Sequence, residues 1–265
     1  MVLNQSDIKV SVFGCGWLGE PLATFLLEKG FLVKGSTTSK EKLLQLKTKG
    51  IEAYQFQLDK IDDEIIPFLN SDILVVNIPS KNIEGFRNLI SLIEKSKIKK
   101  VLFISSTSVY KDNNTIIFEN TIDSFSDSPL LEIEQLFKQS QHFKTTILRF
   151  GGLFGYSRKP GNFFSSGRSI SQPDAHVNMI HRDDCIEIIY QLIIQEKWGL
   201  ILNACADLHP SKRNFYTKAT EVLGKTAPDF IEGEVLSFKI ISNDYIKKCL
   251  NYTFKHPDIL KALEL

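Results

Sequence analysis

Three glycines, in the run Gly14-Cys15-Gly16-Trp17-Leu18-Gly19, follow a β-rich stretch at residues 8–13. They open a stretch in which Leu18, Leu22, Phe25 and Leu26 recur at helical spacing until Gly30. A strand that passes through such a turn into a helix has few folds open to it. The first glycine permits the tight turn, the second lets backbone approach a pyrophosphate, and the third lets the helix pack on the strand. The helix N-terminus then offers unpaired N–H groups and a partial positive charge to an anion. A glycine-rich turn alone is weak evidence, but strand, turn and helix together give it meaning. Gly14, Gly16, Trp17, Leu18 and Gly19 are therefore expected to hold a dinucleotide.

Further along, strand and helix patterns alternate. Strands are expected at 31–35, 51–58, 73–78 and 101–104, and helices at 40–49 and 85–95. The run 73–78 is continuously apolar, as a central parallel strand covered on both faces requires, and Pro79 ends it. A helix at 131–137, a strand at 145–150, a helix at 183–195 and a strand at 200–203 follow, and the pattern loosens after Ala206. The fold class expected is α/β: a Rossmann doubly wound parallel sheet with a smaller C-terminal substrate lobe. The expected division is 1–155 for the dinucleotide-binding domain and 156–265 for the lobe, with 176–206 returning to the sheet.

An NAD-selective site places Asp or Glu ~20 residues after the first glycine, to hold the ribose hydroxyls. Here the stretch Lys34-Gly35-Ser36-Thr37-Thr38-Ser39-Lys40 contains no acid. Hydroxyls at Thr38 and Ser39, with a lysine, could receive a 2′-phosphate, so NADP is favoured over NAD. Ser39 could equally serve only as the N-cap of the next helix.

Other classes are disfavoured. With 32 Lys plus Arg against 31 Asp plus Glu, the net charge of +1 builds no field for nucleic acid. No apolar run reaches the ~18 residues of a membrane span, and the polar start lacks a secretory apolar core. Cys15, Cys185, Cys205 and Cys249 lie far apart and read as buried fillers of a reducing, cytoplasmic compartment. His176, His181, Asp183 and Asp184 have metal-ligand side chains, but their spacing fits no metal template, so no metal is expected.

The segment Val101-Leu102-Phe103-Ile104-Ser105-Ser106-Thr107-Ser108-Val109-Tyr110 resembles the fifth-strand signature of extended short-chain dehydrogenases/reductases, the NAD-dependent epimerase/dehydratase superfamily. The runs Leu148-Arg149-Phe150-Gly151-Gly152-Leu153-Phe154-Gly155 and Met179-Ile180-His181-Arg182-Asp183-Asp184 match later family motifs in order. Together with GCGWLGEPLA and HPSKRNFY, the resemblance is to the YeeZ-type, atypical branch.

The resemblance implies that Pro79, Ser105, Phe150 and Gly151 border the cofactor, and that Ser106 stands at the family's catalytic serine. It also implies that the Asp pair begins a helix. The family's Tyr and the Lys four residues later fall on Ser126 and Leu130, so that proton-transfer pair is missing. Tyr110 is then the nearest phenol and the expected substitute, with Tyr156 and His181 weaker. The implied function is an oxidoreductase or epimerase acting on a small polar substrate, with nucleotide sugars among the options. A catalytically inactive, dinucleotide-sensing protein is the alternative. The partners expected are a small-molecule substrate and, as an open option, a second copy in a homodimer. No nucleic acid and no membrane are expected.

Overall fold

The computed structural model describes residues 5–164 and 169–265. Strand β1 (Lys9–Phe13) leads through the glycine turn into α1 (Gly19–Glu28), followed by β2 (Leu32–Thr37), α2 (Lys40–Thr48) and β3 (Glu52–Gln55). Next come α3 (Ile66–Leu69), β4 (Ile73–Val76), α4 (Ile83–Glu94) and β5 (Lys100–Ser106). Then follow β6 (Ile116–Ile117), α5 (Pro129–Gln139), β7 (Lys144–Phe150), β8 (Gly152–Phe154), β9 (Met179–His181) and α6 (Arg182–Ile194). The last elements are β10 (Ile201–Ala204), α7 (Lys212–Glu221), β11 (Ile240–Ile241), α8 (Asp244–Leu250) and α9 (Ile259–Ala262).

Seven strands form one sheet in the order β10-β7-β5-β4-β1-β2-β3. Strand β1 runs parallel to β2 on one side and to β4 on the other, with Val12 opposite both Gly35 and Val75. The chain winds outward to β3, then returns to the far side of β1. That reversal is a topological switch point, and ligands of such sheets bind at the carboxyl ends of the strands there. The glycine turn leaves β1 at this place. The fold is the doubly wound α/β fold that the alternation predicts.

Local chemistry accounts for the elements. Every residue of β4 is buried, as its unbroken Ile-Leu-Val-Val requires. Leu22, Ala23 and Leu26 of α1 are fully buried along one face, and Gly30 ends the helix at φ +89°. The Ser39 and Asn82 side chains cap α2 and α4 by accepting from the Lys42 and Gly85 amides. Four short strands (β6, β8, β9, β11) and the single-turn α3 were not evident from periodicity. The expected strand at 51–58 is shorter, ending at Gln55.

The chain divides into two compact units that interleave in sequence. Unit 1 extends to Ser105 and adds Asp127–Leu148 and Ile189–Ile201; unit 2 comprises Ser106–Ser126, Arg149–Ile188 and Leu202–Leu265. Within unit 1, Phe103 stacks on Phe137 and Phe86 meets both edge-on, with centroids 4.7–5.9 Å apart, in a core that also holds Phe13 and Phe68. A smaller core in unit 2 gathers Phe154, Met179, Phe215 and Ile259. No helix among the described residues is long and apolar enough to cross a membrane. Cys15, Cys185 and Cys205 are buried, whereas Cys249 is half-buried.

Candidate functional site

Unit 1 holds an open cleft of about 330 Å³ over the end of β1. It is lined by Gly14 and Gly16, by Ser36 to Thr38 at the end of β2, and by Asn77 to Ser80 after β4. The geometry explains each glycine. At Gly14 φ is +106°, and a Cβ would lie 2.4 Å from the Asn77 carbonyl oxygen. At Gly19 a Cβ would lie 2.1 Å from the Gly14 carbonyl oxygen, so only glycine lets α1 approach the turn. A Cβ on Gly16 would meet nothing within 4 Å, so that glycine faces open space.

The turn is held by side chains from both neighbouring strand ends. The Gly14 amide donates to Ser36 Oγ at 3.1 Å, and Asn77 Nδ2 donates to the Gly14 carbonyl at 3.1 Å. The N-terminus of α1 has no side-chain cap; the Glu20 amide donates to the Gly16 carbonyl at 3.1 Å and Pro21 has no N–H, so the positive end of the helix is presented by the turn that precedes it. Glu20, in its first turn, is paired with Lys42 and Lys49, so its charge is compensated where an anion would sit.

The residues named from the sequence fall into distinct places. Gly14, Gly16, Thr38 and Pro79 line the cleft, whereas Leu18 is buried in the core at 3% exposure. Trp17 is half-buried, and neither it nor Ser39 is among the cleft residues. The Ser39 hydroxyl accepts from the Lys42 amide, the capping role that had been its alternative. Lys34 is directed to the Pro67 carbonyl and is nearly buried, which lowers its pKa. Lys40, at the first position of α2, is exposed. Ser105 is buried and donates to the Glu134 carboxylate of α5 at 2.5 Å.

Ser106, Tyr110, Phe150 and Gly151 belong to unit 2. The Ser106 side chain accepts from the Ser108 amide at 3.1 Å and so caps a short turn. Tyr110 is 2% exposed; its hydroxyl donates to Asn203 Oδ1 at 2.9 Å and accepts from Arg149 Nη1 at 2.6 Å. The Arg149 guanidinium also lies 5.0 Å from the Tyr110 ring centroid, and Phe125 stacks on that ring. Burial raises the Tyr110 pKa, and the Arg149 charge offsets only part of the rise. Gly151 is packed so closely that a Cβ would lie 2.6 Å from the Asn178 carbonyl oxygen, and Phe150 is buried. In the Tyr slot, Ser126 Oγ donates to the Val109 carbonyl at 3.0 Å; in the Lys slot, Leu130 packs against the unit 1 core.

A second constellation stands at the start of α6. His181, 2% exposed at the end of β9, has Nδ1 3.3 Å from Asp183 Oδ2, and His256 Nε2 lies 3.1 Å from the same oxygen. Tyr156 donates to the other Asp183 oxygen at 2.8 Å, and the Arg182 guanidinium covers the Tyr156 ring at 3.7 Å. Burial holds the His181 pKa below the usual imidazole value. Burial works to raise the Asp183 pKa, but hydrogen bonds from Tyr156 and His256 hold it below the usual carboxylate value. His256 was not singled out from the sequence. His176, which was, instead bonds the His209 carbonyl at 2.6 Å.

No family model matches the chain. It is 30% identical over 268 residues to Protein YeeZ of Escherichia coli (strain K12), covering 95% of this chain and 97% of that protein. Among solved structures, it is similar to UDP-glucuronic acid 4-epimerase from Bacillus cereus in complex with UDP-glucuronic acid and NAD. That match has a TM-score of 0.78 at 18% identity and covers 97% of each chain. It is also similar to a protein from Methylobacillus flagellatus assigned to the NAD-dependent epimerases/dehydratases, with a TM-score of 0.77 at 23% identity over 96% of each chain. A relative at this identity across nearly the full length of both chains shows that the chain belongs to the YeeZ family, built on the epimerase/dehydratase fold.

Proposed function

We propose that the chain binds a nicotinamide dinucleotide in the glycine-turn cleft and acts as an epimerase/dehydratase-like oxidoreductase on a small polar substrate. Nucleotide sugars are the first class to assay, since the Bacillus cereus structure holds one beside NAD. The observation that carries the reading is Gly16. Its neighbours Gly14 and Gly19 are glycines because backbone crowds them, yet Gly16 faces the open cleft, with no protein atom near, beside the uncapped end of α1. Close approach of a pyrophosphate is the physical reason for a glycine there.

When bound, the dinucleotide supplies hydride transfer at its nicotinamide ring. The Ser106 hydroxyl is the group assigned to hydrogen-bond the reacting oxygen of the substrate. With Ser126 and Leu130 in place of the family's Tyr and Lys, no phenol–ammonium pair moves the proton. Positioned acid–base catalysis contributes ~10²–10⁴-fold, so slow turnover is the expected consequence. The cofactor preference remains NADP, on the absence of a carboxylate between Lys34 and Lys40 and the exposure of Lys40. Of the two hydroxyls first assigned to the phosphate, Thr38 lines the cleft, and the Ser39 oxygen is shared with its capping bond.

A second reading, an NAD(P)-sensing binding protein without turnover, draws support from Tyr110. Its hydroxyl is already bonded on both sides within unit 2. Calorimetric titration of the four nicotinamide dinucleotides into the wild type and Gly16→Ala tests the binding reading. The expected result is wild-type binding with NADP tighter than NAD, and at least ~10-fold weaker binding by the variant. Its folding stability should stay within ~0.5 kcal/mol, because no atom opposes the new methyl. Equal affinity in a folded variant overturns the site, and tighter NAD overturns the NADP preference. Chromatography of nucleotide sugars after incubation with the loaded protein, read beside nicotinamide absorbance, separates enzyme from sensor: the sensor reading requires neither product nor absorbance change, whereas an epimerase returns its hydride and yields product alone.

A further inference from the structure

We propose that His181, Asp183 and His256 form a site for one divalent cation of the zinc class in unit 2, through His181 Nδ1, Asp183 Oδ2 and His256 Nε2. All three ligand atoms lie within 4.8 Å of one another. Zinc binds imidazole nitrogen and carboxylate oxygen at ~2.0–2.2 Å, so two tetrahedral ligands sit ~3.3–3.5 Å apart. The His181–Asp183 separation of 3.3 Å and the His256–Asp183 separation of 3.1 Å are close to that edge. The two imidazole nitrogens need only close up on one another, and His256, being partly exposed, has room to turn.

Chemistry favours a cation there. The Asp183 amide donates to His181 Nδ1 at 3.3 Å, a long contact that a cation bound to that nitrogen replaces. That nitrogen also faces Asp183 Oδ2, on which His256 Nε2 converges as well, so two ring nitrogens and one carboxylate oxygen meet in one place. A cation held by all three takes the place of ring protons between imidazole and carboxylate. Two imidazoles with one carboxylate suit zinc, iron or cobalt rather than magnesium or calcium, which prefer all-oxygen sets. Three protein ligands leave at least one position open for water or a substrate oxygen.

The surroundings are built to hold these ligands. Tyr156 orients Asp183 through its second oxygen, as outer hydrogen bonds commonly orient metal carboxylates. A Cβ on Gly155 would lie 2.3 Å from His181 Nε2, so a glycine at φ +117° makes the room for that ring. Asp184, fully buried, accepts from Tyr252 Oη and from the amides of Lys255 and His256 at 2.6–3.0 Å. That carboxylate fastens the segment carrying His256 against the start of α6. Asp184 is a positioning residue and Asp183 a ligand, a division of labour for the adjacent pair that helix capping alone does not require.

The test uses the full chain stripped with a chelator and titrated with Co²⁺, read by visible absorption, then with Zn²⁺ in competition. The expected result is one Co²⁺ per chain with four- or five-coordinate d–d bands, displaced by one Zn²⁺. Affinity should fall at least ~100-fold in His256→Ala, with the fold of the variant checked by circular dichroism. X-ray absorption of the wild-type zinc form should show two imidazoles in the first shell, a readout that needs no variant. Absence of stoichiometric binding, an all-oxygen shell, or equal affinity in folded His256→Ala overturns the proposal. Dinucleotide binding is not part of the readout, so this site and the cleft stand or fall separately.

Discussion

Tyr110 illustrates how a residue's surroundings decide what its functional group can do. From the sequence it was the nearest phenol to the missing Tyr–Lys pair; in the fold it is 2% exposed, with its hydroxyl bonded to Arg149 and Asn203. A phenol whose pKa burial raises stays neutral across the physiological range and donates to a fixed carbonyl rather than to a substrate. We therefore expect Tyr110→Phe to act on stability. The change removes the donor to Asn203 Oδ1 inside a buried network, and such losses cost ~1–3 kcal/mol. Urea denaturation measures that cost directly. If instead the variant keeps its stability and loses ~100-fold in kcat with cofactor affinity unchanged, Tyr110 is the proton donor after all.

The glycine turn and α6 show what an element can and cannot reveal before folding. The turn was legible because its signal is local: a strand, three glycines and a helix within a short span, each step with its own steric reason. The same crowding makes a prediction at Gly19. An added methyl there meets the Gly14 carbonyl oxygen at 2.1 Å, and that oxygen is rigid backbone, so α1 must shift from the turn. Overpacking of this kind typically costs ~1–3 kcal/mol, so Gly19→Ala should lower the melting temperature clearly while Gly16→Ala leaves it unchanged. A Gly19→Ala melt matching the wild type would show that α1 shifts at no cost and would overturn the steric account of this glycine. By contrast, the group at the start of α6 was only half legible. His181 and Asp183 are two residues apart, but His256 arrives through the Asp184 anchor from more than 70 positions away. The short strands were hidden for the same reason: β6 finds its partner β11 over a separation no local pattern records, Ile116 lying opposite Ile240.

Across the whole molecule, alternation of strand and helix dictated the central sheet, because parallel strands buried on both faces must read as unbroken apolar runs. The division into units is not linear: β5 and β7 each begin in unit 1 and finish in unit 2, so no single cut along the sequence separates the two. The distribution of thiols reports on how tightly both units close. Cys15 is 2% exposed and burial pushes its pKa up to about 12; Cys185 and Cys205 are fully buried and raised by the same cause. The thiolate is the reactive species, so these three are doubly protected, by inaccessibility and by protonation. Cys249, on α8, is only half-buried. A disulfide-exchange reagent at mildly alkaline pH should therefore titrate one thiol rapidly in the native chain and all four of its cysteines in denaturant. Cys249→Ser should abolish the rapid phase and leave the slow one. A second fast thiol in that variant would mean that one of the buried cores opens on the labelling timescale, and its position would identify which unit opens.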